Sequence, residues 1–344
     1  MKVLVTGAFG NIGSHAVPAL MKAGHQVRCL SHRARHDERV SRAKFNGPVQ
    51  MVYGDIRRVV DLKDAVEGVD AVVHLAYVIP PSVDEDRVYA HEVNVVGTEN
   101  LLTQIRRQRK PPKLLFASTF DVFGYTQHLT PPRRLTDPVA ATDLYTHQKI
   151  INEAAVMASG LPYSIFRFAD VPPIALRTPH PVMYRIPLET RIETLHPDDA
   201  GLAIANGIAS DAIWGHTWLI GGGARCQLKY RQYLNTFLEL FGIGSLPENL
   251  FSEEPYPTDW IDSTESQALL HYQRHSFDDI VRDCAALLGW RRPFMRIFRP
   301  WIRSQIIGLA PHGHHDHADD AGHDAQRHDT GDTGHDDHPQ TATH

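Results

Sequence analysis

A tyrosine and a lysine four residues apart could carry acid–base chemistry in this chain. Tyr145 and Lys149 lie in a segment of helical periodicity, residues 144–159, so their spacing places both side chains on one helix face. A free tyrosine has a pKa of about 10 and is a poor base near neutral pH, but an adjacent ammonium stabilises the phenolate and lowers that pKa. The pair could then take a proton from a hydroxyl or give one to a carbonyl. The alternative is an exposed Tyr–Lys pair without a chemical role.

A glycine-rich turn near the beginning of the chain has the spacing of a phosphate-binding loop. It reads TGAFGNIG over residues 6–13, directly after a short apolar run and directly before a helical pattern. Glycines in such a turn let the backbone approach a pyrophosphate, and the following helix N-terminus supplies free N–H groups. An ordinary glycine turn is the alternative, but the strand and helix on either side favour a dinucleotide site. The predicted contacts are Gly7, Phe9, Gly10, Asn11, Ile12 and Gly13.

The elements that must position these residues alternate between strand and helix. The predicted strands are residues 2–6, 27–30, 49–53, 71–75, 113–118 and 163–168. The predicted helices are residues 12–23, 62–67, 94–107 and 144–159. The alternation predicts an α/β protein with a Rossmann doubly wound parallel sheet, covered by helices on both faces.

The pattern changes after residue 170. Prolines interrupt residues 172–187, and regular structure returns as a helix at 198–209, a strand at 217–220 and a helix at 230–241. We predict three regions, which are a dinucleotide-binding Rossmann domain (1–170), a smaller C-terminal substrate lobe with C-terminal helices (171–310), and a disordered His/Asp-rich tail (311–344).

Seven segments in order resemble the extended short-chain dehydrogenase/reductase superfamily, and within it the NAD-dependent epimerase/dehydratase family. The resemblance covers about residues 1–225. It is carried by the GxxGxxG spacing of the glycine turn, Asp55-Ile56, His74-Leu75-Ala76, Asn94 before Gly97-Thr98, the segment from Ser118 to Gly124, the Tyr145/Lys149 pair, and the segment from His196 to Ala200. These matches are specific for the superfamily and say nothing of a particular substrate.

The resemblance implies an NAD(P)-dependent oxidoreductase or epimerase acting on a hydroxyl or carbonyl carbon of a sugar, a sugar nucleotide or a similar small molecule. It assigns the hydroxyl that holds the substrate oxygen to Thr119, with Ser118 as second choice, and it implies a homodimer. The further cofactor contacts it implies are Ser31, Asp55, Ile56, Leu75, Ala76, Asn94, Tyr145, Lys149 and Arg167. A dehydrogenase and an epimerase would use this group equally well. A non-catalytic dinucleotide sensor or assembly subunit on the same fold is the alternative.

The end of the second strand bears on the choice of dinucleotide. NAD enzymes usually carry an acidic residue there, whereas this chain has Ser31, followed by Arg33 and Arg35. A guanidinium can bind a 2′-phosphate with two hydrogen bonds, so the segment favours NADP. NAD, with both arginines facing solvent, is the alternative.

Departures from the family narrow the reaction and the substrate. A Thr-Asp-Glu triplet is typical of the sugar-nucleotide dehydratases, but Thr119 is followed here by Phe120 and Asp121, which disfavours a 4,6-dehydratase. The segment 167–196 is short for wrapping a nucleotide diphosphate. Three arginines in it could bind an anionic substrate or face solvent, namely Arg177, Arg185 and Arg191.

Composition sets the remaining limits. A formal net charge of -5 gives no reason to expect nucleic-acid binding, and no apolar run is long enough for a transmembrane helix. Three cysteines far apart in sequence predict neither a disulfide framework nor a cysteine metal site, and they favour a reducing cytoplasm.

The C-terminal end contains two further patterns. Residues 294–309 form a basic amphipathic pattern, which suits either a helix packed on the enzyme body or peripheral contact with a membrane. Nine histidines follow Pro311, including His312, His314, His315 and His317, among aspartates that could hold zinc, nickel or copper loosely. A merely solvating tail is the alternative.

Overall fold

Seven strands lie parallel in one sheet, with the first strand of the chain near its middle. The computed structural model describes residues 1–32, 45, 47–175, 179–289 and 299–311. The strands are β1 Lys2–Thr6, β2 Gln26–Ser31, β3 Gln50–Tyr53, β4 Ala71–His74, β5 Lys113–Thr119, β6 Tyr163–Phe168, β7 Arg191–Glu193, β8 His216–Ile220 and β9 Gln227–Lys229. The sheet order is β3-β2-β1-β4-β5-β6-β8, and β7 pairs antiparallel with β9 separately. The strand order reverses between β1 and β4, where ligands bind at the carboxyl ends of a doubly wound sheet.

Helices cover the sheet and form most of the C-terminal part. They are α1 Gly13–Lys22, α2 Lys63–Val66, α3 Ser82–Glu85, α4 Arg87–His91, α5 Gly97–Arg106, α6 Leu144–Met157, α7 Pro197–Ala209, α8 Tyr230–Leu240, α9 Thr264–Leu270, α10 Phe277–Leu288 and α11 Arg299–Ile307. A π-helical turn, Glu92–Val96, leads into α5. The predicted Rossmann fold is confirmed, since every predicted strand and helix is present within a few residues. Several short elements were not predicted because they are too short to show a period, namely β7, β9, α3, α4 and α9.

The strands are apolar on both faces because both faces are covered. In β1, Val3 and Val5 belong to one buried cluster, whereas Leu4 between them belongs to the cluster on the opposite face. Successive strand residues point to opposite sides, so a run such as Lys2–Thr6 can bury its side chains in two separate cores.

Helices α1 and α7 touch backbone to backbone. A Cβ atom at Gly201 would lie 2.6 Å from the carbonyl oxygen of His15, so no side chain fits at that position. Helix α1 also continues through Pro18. The helix that begins at the glycine turn is therefore held by a helix from beyond residue 170.

Helix α11 packs on the C-terminal part through its apolar side. Ile306 is buried, its carbonyl accepts a hydrogen bond from the Tyr184 hydroxyl (2.8 Å), and Arg299 donates to the carbonyl of Ile243. Trp301 is 66% exposed. The packed-helix interpretation therefore holds for residues 299–309, while residues 290–298 lie outside the described residues and membrane contact stays a prediction.

Within the described residues no helix has the length and apolarity needed to span a membrane. The chain divides by its internal contacts into Met1–Ala310 and Pro311–His344. The predicted boundary at residue 170 stays a prediction, as does the disorder of the tail, since residues 312–344 lie outside the described residues. The three cysteines are buried and form no disulfide, namely Cys29, Cys226 and Cys284.

Candidate active site

The glycine turn needs glycine at two of its three glycine positions for steric reasons. Gly7 has φ +70°, and a Cβ there would lie 2.7 Å from the backbone nitrogen of Ala76. A Cβ at Gly13 would lie 2.1 Å from the carbonyl oxygen of Gly7. The Gly10 amide closes the turn by donating to that same carbonyl at 3.0 Å. The turn is thus tight enough for a phosphate to approach its backbone.

Among the described residues, no side chain caps the N-terminus of α1. The N-cap residue, Ile12, has no side-chain oxygen, and the first turn contains no acidic residue. The first N–H groups of a helix have no partners within it, and the helix dipole is positive at this end. The pyrophosphate of a dinucleotide therefore fits here.

A buried hydroxyl near the end of β5 supports the same fit. In the part of the chain that the structure describes, Ser118 Oγ is buried and has no hydrogen-bond partner. Buried polar atoms are normally paired, so an orphaned hydroxyl at the carboxyl edge of the sheet suggests a missing ligand. The glycine turn would receive the pyrophosphate in the middle of an extended dinucleotide, and this hydroxyl would contact a group beyond it.

A buried histidine joins the ends of β1 and β4 beside the turn. The Thr6 hydroxyl lies 2.7 Å from His74 Nδ1, and His74 Nε2 lies 3.0 Å from the Thr98 hydroxyl. Burial lowers the pKa of His74 to about 3, so the ring is neutral. The Thr6 oxygen also accepts the amide hydrogens of Leu75 and Ala76, both at 3.2 Å. This network fixes the backbone of the two residues predicted to contact the cofactor.

Asn94 is buried and fully engaged with protein groups. Its Oδ1 accepts from the Val78 amide at 2.7 Å, and its Nδ2 donates to the Val78 carbonyl at 2.9 Å and to Gln148 Oε1 at 2.8 Å. The π-helical turn frees its carbonyl, which accepts from Thr98 and Asn152. Asn94 thus ties the loop after β4 to α6, and its direct contact with the cofactor stays a prediction.

Lys149 is buried against aromatic rings. Its Nζ donates to the Ala117 carbonyl at 2.6 Å and lies 3.5 Å from the centroid of the Tyr77 ring. The Tyr145 ring centroid is 5.8 Å away. Burial lowers the pKa of Lys149 to about 7, against the opposing charge of Glu153.

Tyr145 lies beside a threonine and a carboxyl group. The Thr119 side chain acts to lower the pKa of the nearby Tyr145 phenol, and its hydroxyl donates a hydrogen bond to Asp121 Oδ2 at 2.9 Å. Burial raises the pKa of Asp121 to about 7. Burial, followed by the nearby Asp121 charge, also raises the pKa of Tyr145 above its usual range. The expected lowering of this pKa by Lys149 was wrong for this arrangement, because desolvation dominates and the ammonium is directed to Ala117.

The sequence of the N-terminal part of the chain, which contains these site residues, matches a family model. The family model described as "NAD dependent epimerase/dehydratase family" matches residues 3–173. Residues 3–173 of this chain belong to that family by sequence.

Two relatives of this chain have names that point to different substrates. The "Sterol demethylase protein B" of Methylococcus capsulatus is 38% identical over 108 residues, covering 31% of each chain. The "UDP-glucose 4-epimerase" of Halalkalibacterium halodurans is 31% identical over 176 residues, covering 49% of this chain and 50% of the relative. The chain therefore spans between about a third and a half of the length of these relatives.

A solved structure resembles this chain over most of the length of both proteins. The UDP-glucuronic acid 4-epimerase from Bacillus cereus, in complex with UDP-glucuronic acid and NAD, superposes with a TM-score of 0.71 at 20% identity. The match covers 83% of this chain and 98% of that one. At this identity the likeness establishes the shared Rossmann fold.

Other predicted residues of the family site have partners inside the protein. Arg167 binds Glu153 through two buried hydrogen bonds, at 3.0 and 2.6 Å. Asp55 pairs with Arg57 at 2.6 Å, and Ile56 is buried against α5. The structure therefore shows these as positioning contacts, and their contacts with cofactor stay predictions.

The arginines proposed for an anionic substrate lie in different settings. Arg191 neither faces solvent nor is free to bind an anion, because its guanidinium binds the buried Asp259, with Nε–Oδ1 at 2.6 Å. Arg185 is exposed. Arg177 lies outside the described residues, as do Arg33 and Arg35. Ser31 is buried at the end of β2.

Tyr77 was not predicted from the sequence as a residue of the site, and Asp121 was given no role there. Tyr77 lies one residue beyond the His74-Leu75-Ala76 segment, and its ring is 5.8 Å from the Tyr145 ring in an edge-on arrangement. Asp121 was noted only as a departure from the dehydratase triplet. A signal existed for both, since the carboxyl ends of β4 and β5 are adjacent in a parallel sheet.

Proposed function

We propose that this chain is a nicotinamide-dinucleotide-dependent enzyme that oxidises a substrate hydroxyl or reduces a substrate carbonyl, with Tyr145 as acid and base. The observation that carries the proposal is that Tyr145, Thr119 and Lys149 lie together, in a fold whose glycine turn is tight enough for a phosphate to approach its backbone. Membership of the family supports an enzyme, and the intact Tyr145/Lys149 pair argues against a purely structural role.

Each member of the group has a separate task. The nicotinamide ring, when bound, supplies or accepts the hydride. In oxidation, Tyr145 takes the proton from the substrate hydroxyl as the hydride leaves the carbon that bears this hydroxyl. In reduction, Tyr145 gives a proton to the carbonyl oxygen. Thr119 holds the substrate oxygen, and Ser118 is the second candidate for this task.

The raised pKa of Tyr145 suits the reductive direction at neutral pH. A phenol that stays protonated is ready to donate to a carbonyl oxygen. The oxidative direction needs a phenolate, which the Lys149 ammonium, 5.8 Å from the ring centroid, would stabilise. Lys149 is also the residue we assign to the nicotinamide ribose.

We propose a small hydroxyl-bearing substrate, such as a sugar or sugar nucleotide. The names of the relatives support two substrate classes, a UDP-sugar and a sterol. A panel of both classes, assayed for reduced cofactor and for epimerised product, separates an oxidoreductase from an epimerase. An epimerase would regenerate its cofactor within each turnover and release none of it reduced.

For the cofactor we propose NADP. The support is the sequence Leu30-Ser31-His32-Arg33, which lacks an acid for the ribose hydroxyls and carries an arginine for a 2′-phosphate. The similar epimerase structure contains NAD. The affinities for NADPH and NADH therefore need to be compared directly.

The function is tested by Tyr145→Phe, which removes only the hydroxyl. We expect kcat to fall roughly 100- to 10,000-fold, the usual contribution of a general acid or base. Cofactor affinity, measured by fluorescence titration, should stay within about 2-fold of wild type because the ring is kept. Lys149→Ala should weaken both rate and cofactor binding. Tyr125→Phe, at a half-exposed tyrosine, is the matched control and should leave both unchanged. Wild-type kcat in Tyr145→Phe would exclude Tyr145 as the acid and base.

A further inference from the structure

Three side chains outside the Tyr145 group form a compact cluster of metal-ligand type. His196, Asp198 and His275 each offer a nitrogen or oxygen atom, and these three atoms lie within 4.8 Å of one another. His196 and Asp198 stand at the beginning of α7, and His275 precedes α10. The Tyr145 chemistry uses none of them.

A buried carboxylate fixes His275 in the orientation of a metal ligand. Asp199 Oδ1 lies 2.6 Å from His275 Nδ1, and Asp199 Oδ2 accepts the backbone amides of Arg274 and His275, both at 2.9 Å. Asp199 is 1% exposed. With the Nδ1 hydrogen held by a carboxylate, Nε2 of a neutral ring carries the lone pair. This carboxylate–histidine arrangement is typical of histidines that bind metals.

Asp198 is accessible and surrounded by imidazoles. Its side chain is 58% exposed, its Oδ1 lies 2.6 Å from His15 Nδ1, and its Oδ2 lies 4.0 Å from His196 Nδ1. His15 thus occupies one oxygen and leaves the other directed to the cluster.

His196 is the buried member of the cluster. It is 1% exposed and stacks on His275 with 4.1 Å between ring centroids. The lone pair of a neutral His196 ring lies on Nδ1, which faces the amide hydrogen of Asp198. That lone pair now accepts the Asp198 amide at 3.1 Å, while Nε2 lies 3.3 Å from Asp283 Oδ2. Asp283 is also 3.8 Å from Arg282 Nε, so it has another partner if His196 turns.

We propose that His196, Asp198 and His275 bind one divalent transition-metal ion of the zinc type. Two imidazoles and one carboxylate suit zinc, whereas magnesium and calcium require oxygen ligands. Asp199 and His15 would orient two of the ligands, and the fourth position would hold water. Binding exchanges the His196 contact with the Asp198 amide for a metal bond. The ion would join the beginning of α7 to the segment before α10, and through His15 to α1.

The test uses the full chain after metal removal, with Zn²⁺ as the probe. Zn²⁺ binding is measured by calorimetry, and thermal unfolding is followed with and without one equivalent of Zn²⁺. The variants are Asp198→Asn, at an exposed position, and His275→Gln. The control is His91→Gln, at an exposed histidine of α4. Zn²⁺ held by the tail histidines is common to all these proteins, so the differences between them report the cluster.

We expect wild type and His91→Gln to bind one equivalent more tightly than the tail does and to melt at a higher temperature with Zn²⁺. Asp198→Asn and His275→Gln should lose that equivalent, with at least a roughly 10-fold weaker affinity, and should lose the Zn²⁺-dependent rise in melting temperature. Melting temperatures without metal show that each variant folds. A wild-type affinity and rise in both cluster variants, or no rise in wild type, would overturn the proposal.

Discussion

The Nζ atom of Lys149 lies 3.5 Å from the centroid of the Tyr77 ring. Asn152 Nδ2 holds the ring by donating to the Tyr77 hydroxyl at 3.1 Å, and the Ala117 carbonyl accepts from Lys149 Nζ at 2.6 Å. The buried ammonium thus keeps two favourable contacts in a place that lowers its pKa to about 7. The Tyr77 ring and the Ala117 carbonyl together therefore set the position of Lys149 Nζ.

Tyr77→Leu should reduce turnover by misplacing Lys149. A desolvated cation–π contact is worth about 1–2 kcal/mol, so we expect a roughly 5- to 30-fold lower kcat. Tyr77→Phe keeps the ring and should stay near the wild-type rate. Steady-state kinetics of the three proteins provide the measurement. Equal losses in both variants would show that the hydroxyl, and not the ring, is what matters.

Asp121→Asn should stabilise the protein at alkaline pH and not at acid pH. Because burial raises the pKa of Asp121 from 3.8 to about 7, the folded state favours the protonated carboxyl. The resulting stability is fully present below pH 3.8 and is lost as the pH rises through about 7. An uncharged asparagine avoids that loss and can still accept from Thr119, so we expect a gain of about 2 kcal/mol at pH 8.

Denaturant unfolding of wild type and Asp121→Asn at pH 4.5 and pH 8 measures this difference. A matched control is Asp137→Asn, at a carboxylate paired with Arg133 in a loop. It should not stabilise the protein at pH 8. A gain in Asp121→Asn that is the same at both pH values would contradict a burial effect on ionisation.

Arg33→Ala should weaken NADPH binding more than NADH binding. A charge-assisted hydrogen bond to phosphate is worth about 1.5–3 kcal/mol, so we expect a roughly 10- to 100-fold loss for NADPH. NADH has no 2′-phosphate and should be little affected. Dissociation constants from fluorescence titration decide this. A parallel loss for both dinucleotides, or none, would remove the argument for NADP.

A chain that ends at Pro311 should keep its kcat and its melting temperature. The residues beyond it contain almost no apolar side chains, so their removal takes little from a core. The truncated protein should lose weakly held nickel or zinc, since imidazoles are largely unprotonated near neutral pH. It should keep the one equivalent that we assign to His196, Asp198 and His275. A large fall in kcat would show that the tail contributes to the active site.

The sequence was informative where the chemistry is local. The glycine turn, the strand before it and the helix after it occupy residues 2–22 without interruption, so their spacing alone predicts the phosphate site. The Tyr145/Lys149 pair lies on one helix, where a spacing of four residues determines a shared face. Both features depend on neighbours within a few residues.

The sequence was less informative where a contact joins distant segments. Tyr77 meets Lys149 across 72 positions, and Asp199 meets His275 across 76, so no local period reveals either contact. The pKa of Tyr145 was mistaken for the same reason. Spacing places an ammonium near the phenol, but the direction of Lys149 depends on the Ala117 carbonyl, which another strand supplies.

The contact between Gly201 and the backbone of His15 limits how this protein can be recombined with its relatives. The family model ends at residue 173, which would be a natural crossover point for a chimera. A crossover there would pair α1 from one parent with α7 from another. The contact between these helices has no room for a methyl group at Gly201. It would also separate β6 from β8, which completes that edge of the sheet. Functional chimeras should therefore inherit α1 and α7 from the same parent.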